Sequence, residues 1–281
     1  LMPFLNQGWK VFAFEPDEKN RAKLLQSLAK QANRELVNIN TSCVSNESRK
    51  GVSFYRSEQS TGISGLSAFH ESHVEAQRVD VTTLTEFFQD KDLPPVDFLK
   101  IDTEGHDLFV LQGFPWARAK PAVFECEFED TKTVPLGYTF HDLAQFLVTK
   151  GYTVYVSEWH PIIRYGIRHD WNRLTRYPCK LADLAGWGNL LAFRDSIDES
   201  DLVAAVKRVL SFGVTGGKPC GTAQTAKTAP VAAKKSTQTE LVGTRRSGFR
   251  VEPGPCFAQM APKLWRYTQS DAPQKIWVAT V

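Results

Sequence analysis

The sequence is poor in cysteine: Cys43, Cys126, Cys179, Cys220 and Cys256 are widely scattered, and no two form a CxxC pair. Their odd number and spacing argue against a disulfide framework and against a zinc site, so they read as reduced, packed thiols. No apolar run approaches the roughly 18 to 20 residues that span a bilayer. The opening residues, LMPFLNQGWK, also lack the basic and apolar regions of a secretion signal. The expected compartment is therefore the cytoplasm. Residues 213–248 contain no aromatic side chain. A stretch so rich in Thr, Ala, Lys, Gly and Pro cannot bury enough apolar surface to offset the entropy of ordering, and a flexible basic linker is expected there. Its six basic residues face Glu240 alone and outweigh the chain's net charge of +3, which leaves the remainder net acidic. That removes the electrostatic footprint of nucleic acid binding.

What is present describes a globular protein, 42% hydrophobic and 23% charged over 281 residues. Residues 1–195 alternate short apolar runs with helical patterns, the mark of βαβ units and a mostly parallel sheet. Expected strands are VFAF (11–14), LVNIN (36–40), VSFY (52–55), RVDV (78–81), VDFLKI (96–101), AVFEC (122–126), TVYVS (153–157) and NLLAF (189–193). A helix is expected from about Asp17 to Gln31. Thr83 with Glu86 forms a capping box before LTEFFQ, and Thr139 opens a helix that Gly151 terminates. The aromatics return after residue 248, and 249–281 reads as the start of a second domain. The chain begins with Leu1 and stops after the strand-like IWVATV, so both ends look cut.

In an open parallel sheet a ligand lies beyond the carboxyl ends of the strands. Three of those ends are acidic. Glu15 follows VFAF, where an acid either accepts both hydroxyls of an adenosine ribose or simply sits solvated at a helix N-terminus. KIDTEGHD (100–107) places Lys100 and Asp102 at the end of an apolar strand, with Gly105 permitting a sharp turn. Stability alone explains that charge density poorly, because a buried ion pair gives little net stabilisation. AVF runs into Glu125, Cys126 and Glu127. Residues 158–187 form a connection far longer than usual, carrying Trp159, His160, Arg164, Arg168, His169, Trp171, Arg173, Arg176 and Trp187. Planar aromatics with polar partners suit a sugar ring; equally, they close a sheet edge. TGISGL (61–66) reads as a loop over a ligand site or as an ordinary turn.

FAFEPD followed by a helix, VTTLTEFF, VDFLKIDTEGHDLFVLQG and a following FECE strand resemble the FkbM family of S-adenosylmethionine-dependent methyltransferases, over about residues 8–195. The resemblance implies the Rossmann-like class I methyltransferase fold over 1–212, mostly parallel with helices on both faces, here incomplete at its N-terminus. It also implies an O-methyltransferase acting on a hydroxyl of a sugar, polysaccharide or secondary metabolite. S-adenosyl-L-methionine would be the cofactor, with Glu15 on its ribose. Asp102, Glu104 and His106, with Lys100 beside them, would be the catalytic candidates, Asp102 also bordering the cofactor. Glu125, Glu127, Trp159, His160 and Arg164 would meet a small-molecule or glycan acceptor. A divalent ion joining the carboxylates is compatible with these residues, but nothing in the spacing demands one. The family's DxGANxG loop has no counterpart in this chain, so the polypeptide as given is expected to be a poor methyltransferase. A nicotinamide-dependent oxidoreductase is the competing enzyme reading, since Glu15 suits that ribose equally, and a non-catalytic binding module is the third.

Overall fold

The computed structural model describes residues 1–57, 62–90, 96–164, 169–212 and 276–280. The expected linker, the residues from 249 to 275, Cys220, Cys256 and Arg168 lie outside the described residues.

The chain order is α1 (Met2–Leu5), β1 (Lys10–Phe14), α2 (Glu18–Leu28), β2 (Val37–Asn40), β3 (Cys43–Val44), β4 (Arg49–Ser57), β5 (His73–Thr82), α3 (Leu84–Asp90) and β6 (Phe98–Ile101). It continues with α4 (Asp107–Gln112), β7 (Val123–Glu129), α5 (Asp130–Thr133), α6 (Phe140–Thr149), β8 (Thr153–Trp159), β9 (Trp171–Arg176), β10 (Trp187–Phe193), α7 (Glu199–Phe212) and β11 (Ile276–Thr280). An eight-stranded sheet has the order β2-β1-β11-β6-β7-β10-β8-β9. The strands from β2 to β7 pair in parallel, β10 runs antiparallel to both β7 and β8, and β9 runs antiparallel to β8.

Alternation along the strands sends side chains to two faces, and both faces are covered. Phe12, Phe14, Leu99, Ile101, Phe124, Cys126 and Phe128 pack with α3, α4 and α6. Val11, Ala13, Phe98, Val123, Tyr155, Leu191 and Phe193 pack with α1, α7 and Leu28 of α2. The result is a mixed α/β fold with helices on both faces. Local signals account for the helix ends: Thr139 and Asp142 form a reciprocal capping box, and Gly151 carries the left-handed φ of +88° that stops α6. At α3 only half of the expected box forms. Glu86 N–H donates to Thr83 Oγ1, but the Glu86 carboxylate takes Ser48 Oγ instead of closing the box.

Three expectations need correction. VSFY and RVDV are strands, but as β4 and β5 they join β3 in a separate three-stranded sheet around Cys43, Phe54, Val79 and Val81. Period-two alternation marks a strand without naming its partner. Residues 158–187 are not a simple connection, because β8 reaches Trp159 and Trp171–Arg176 adds β9 to its edge. The strand-like IWVAT, read as belonging to a later domain, lies in the main sheet, with Ala279 registered to Ala13 on one side and Lys100 on the other.

Candidate active site at the carboxyl edge

Parallel pairing aligns the ends of β1, β6 and β7, and this edge carries most of the residues singled out in the sequence. They divide into a cleft and an acidic group.

The cleft, which is open to solvent on one side, is lined by Phe14, Pro16, Ser42, Cys43, Val44, Phe54, Ser64, Gly65, Leu66, Thr103 and His106. Ser64, Gly65 and Leu66 of TGISGL therefore border a pocket, held there by the paired backbones of Gly65 and Tyr55. Glu15 lies in the chain between the lining residues Phe14 and Pro16, 5% exposed, with Oε1 accepting from Asp17 N–H at 2.8 Å. Burial pushes its carboxyl up to about 7, against that hydrogen bond. Asp17 caps α2 by accepting from Asn20 N–H and pairs with Arg56, while Arg21 donates to the Glu15 and Pro16 carbonyls. Across the cleft, His106 Nε2 lies 2.8 Å from Ser67 Oγ. Burial lowers the His106 pKa to about 4, and Arg49 adds to the effect, so the ring is neutral at pH 7. His106 Nδ1 and Ser64 Oγ are buried and, among the described residues, have no hydrogen-bond partner.

The acidic group forms where the turn after β6 meets β7 and α5. Lys100 pairs with Asp102. Burial works to raise the Asp102 pKa, but the attraction of Lys100 and its hydrogen bond outweigh it and hold the carboxyl below its usual range. Glu104 adopts a left-handed φ of +53° and Gly105 follows at +96°. A side chain bearing that backbone is unusual, and such strain persists where surroundings enforce it. Here Tyr138 Oη donates to the Gly105 carbonyl at 2.7 Å. Asp107 ties the turn to β7, accepting from Thr103 N–H and Oγ1 and from Glu127 N–H.

Lys132 from α5 reaches into this group. Its ammonium lies 2.6 Å from Glu104, 2.8 Å from Glu129 and 3.5 Å from Glu127, and its side chain is 4% exposed. Burial alone would lower its pKa, but the three glutamates raise it well above normal and keep the ammonium charged. Burial pushes Glu104 up to about 7 against the pull of Lys132, and pushes Glu127 well above the usual carboxylate range. Glu125 is fully buried, neither oxygen has a hydrogen-bond partner among the described residues, and burial raises it to about 7. Oxygens of Asp102, Glu104 and Glu127 lie within 4.8 Å of one another. Cation ligands have such a spacing, although Lys132 already stands among them.

The structure thus gathers Lys100, Asp102, Glu104, Glu125 and Glu127, and sets His106 in the neighbouring cleft, with Glu15 between its lining residues Phe14 and Pro16. Trp159 lies on the aromatic side: it stacks on Trp187 at 5.7 Å, and His169 meets Trp187 edge-on at 5.3 Å. Trp187 is registered opposite Glu129, and Asn189 opposite Glu127, so this platform adjoins the acids across β10. His160 is exposed and contributes its carbonyl to Trp187 Nε1. Arg164 is exposed. Arg173 instead has a structural role, pairing with the buried Glu158. Lys132 escapes the sequence; its only signal is a lysine three residues beyond Glu129 in EFEDTK.

The sequence matches the model of the methyltransferase FkbM domain over residues 2–154. The chain belongs to that family. The match takes in the cleft and the acidic group, and the platform from Trp159 to Trp187 lies beyond it. Neither the curated proteins nor the solved structures contain a match. Family membership places the chain with methyltransferases rather than nicotinamide-dependent oxidoreductases. No helix among the described residues is long and apolar enough to cross a membrane.

Proposed function

We propose that this FkbM domain is an S-adenosylmethionine-dependent O-methyltransferase of the class I architecture, acting on a hydroxyl of a sugar, polysaccharide or secondary metabolite. The observation that carries the reading is the cleft beside the acidic group. Its walls, Phe14, Pro16, Val44 and Leu66, suit a flat base, while Ser64 Oγ and His106 Nδ1 are buried polar atoms that lack partners until a ligand supplies them. Glu15 at the end of β1 keeps a carboxylate oxygen without a hydrogen-bond partner among the described residues, for ribose hydroxyls. The residues present fit the adenosine half of the cofactor.

When bound, the cofactor supplies an electrophilic methyl group on a sulfonium sulfur. The chain's own residues align an acceptor hydroxyl and take its proton. Asp102 suits the first task, because Lys100 keeps it ionised and its side chain remains 31% exposed, enough for an acceptor to reach. Glu104 suits the second: near pH 7 a base of matched pKa removes a proton best as the new bond forms. The Trp159 and Trp187 rings offer an apolar face to a sugar ring, with Glu127, Glu129 and Asn189 beside them for its hydroxyls.

Saturation-transfer NMR on the full chain suits this reading, because it detects weak as well as tight binding. S-adenosylmethionine and adenosine should give mutually competing signals that Glu15→Ala abolishes. Folded wild-type protein with no S-adenosylmethionine signal would refute the reading.

A further inference from the structure

We propose that the Lys132 ammonium is the resident cation of the acidic group, taking two of the three carboxylates, Glu104 and Glu127, that with Asp102 are spaced for a divalent ion, and is thereby the positioning residue that holds Glu104 and Glu127 at the acceptor end of the sheet. The inference deepens the methyltransferase reading, since it assigns the group its organising charge.

Geometry carries it. A single ion binding oxygens at 2.0 to 2.6 Å holds any two of them no more than about 5 Å apart. The oxygens of Asp102, Glu104 and Glu127 already meet that limit, at 4.8 Å or less. The ammonium contacts Glu104 and Glu127 and adds Glu129, collecting carboxylates from two elements other than its own. The ammonium also lies over the Phe69 ring, 5.2 Å from its centroid.

The lysine stem also shapes the strained turn. A Cβ built on Gly105 would lie 3.2 Å from Lys132 Cβ, so the turn rests on the stem while Glu104 reaches the charged end. The other charged groups around the site are Lys100 paired to Asp102, Glu125 without a hydrogen-bond partner, Asp107 tied to Thr103 and Glu127, and His73 packed on Phe69. Carboxylates outnumber ammonium groups here. Removing Lys132 therefore leaves carboxyls that must either take up protons or accept an external cation at that spacing.

The test is cation binding by Lys132→Ala in the full chain, read by Mn²⁺ electron paramagnetic resonance and by thermal denaturation in Mg²⁺ or Mn²⁺. Wild type should show no saturable Mn²⁺ uptake that depends on Glu127, and no change in Tm. Lys132→Ala should melt lower, take up one Mn²⁺ per chain and regain at least half of the lost Tm; a merely structural lysine predicts no such recovery. Saturable wild-type uptake abolished by Glu127→Gln, or a variant indifferent to cations, would overturn the proposal. If Lys132→Ala is not recovered folded, adding Glu104→Gln should restore folded protein, because removing both charges of a buried pair costs less than removing one. A double variant no better than the single would equally overturn it. Neither readout uses methyl transfer or cofactor binding, so failure of the methyltransferase reading remains a separate result.

Discussion

Replacing Glu15 by Gln should stabilise the ligand-free protein while weakening cofactor binding, and the two effects have one physical origin. The Glu15 carboxyl is 5% exposed, and burial raises its pKa from 4.5 to about 7. A carboxyl with a raised folded-state pKa binds protons more tightly folded than unfolded. Its unfavourable contribution is therefore absent at low pH, grows between pH 4.5 and 7, and is complete above 7. At 1.36 kcal/mol per pKa unit, the ionised carboxylate costs about 3 kcal/mol of stability at pH 8 and under about 1 kcal/mol at pH 5. Gln keeps an oxygen for Asp17 N–H and does not titrate. Urea denaturation of wild type and Glu15→Gln from pH 5 to pH 8 should give curves that separate with rising pH, the variant becoming more stable. The difference isolates Glu15 from the other buried acids, which both proteins share. Equal pH dependence, or a variant less stable at pH 8, would refute the burial argument. S-adenosylmethionine affinity should fall by roughly tenfold or more, since a hydrogen bond to a charged acceptor is worth about 1.5 to 3 kcal/mol.

Trp187→Ala should raise the Michaelis constant for a glycan acceptor and leave cofactor binding nearly unchanged; a lowered Tm with unaltered acceptor kinetics would make the platform purely structural. Gly113→Ala should cost about 2 kcal/mol in denaturant unfolding, because the new Cβ would lie 2.3 Å from the Ser45 carbonyl oxygen and a backbone must shift. A Gly113→Ala protein of wild-type stability would show that the contact relaxes freely.

The fold was legible where local pattern and partner coincide. The ends of β1, β6 and β7 were readable because an apolar run terminating in acids marks both a buried strand and its exposed carboxyl edge. β9 was not, since WNRLTR is only half-buried along its length and its alternation is weak. In the acidic group, Asp102 and Glu104 were readable from the motif that follows β6, and Glu125 and Glu127 from β7. The cation that joins Glu104 to Glu127 was hidden: Lys132 leaves a different element, and only folding brings EFEDTK back over DTEG. The Glu104 backbone was equally hidden, because glycine announces a left-handed turn and glutamate does not.

The position of β11 explains why the chemistry converges on one edge. β1 and β6 are buried along nearly their whole length, yet they do not pair with each other; a strand must stand between them or two rows of backbone groups lack partners. Ile276–Thr280 satisfies both rows, with Thr280 registered to Phe14 on one side and to Ile101 on the other. Because every pairing from β2 to β7 is parallel, Asn40, Phe14, Thr280, Ile101 and Cys126 align at successive strand ends. Glu15 and Asp102 each follow one of those ends, and Glu127 continues β7 past Cys126. The same register that satisfies the backbone in the middle of the sheet therefore sets Glu15 and the acids that follow β6 and continue β7 on opposite flanks of one central strand. In an open parallel sheet that is where a ligand can touch both.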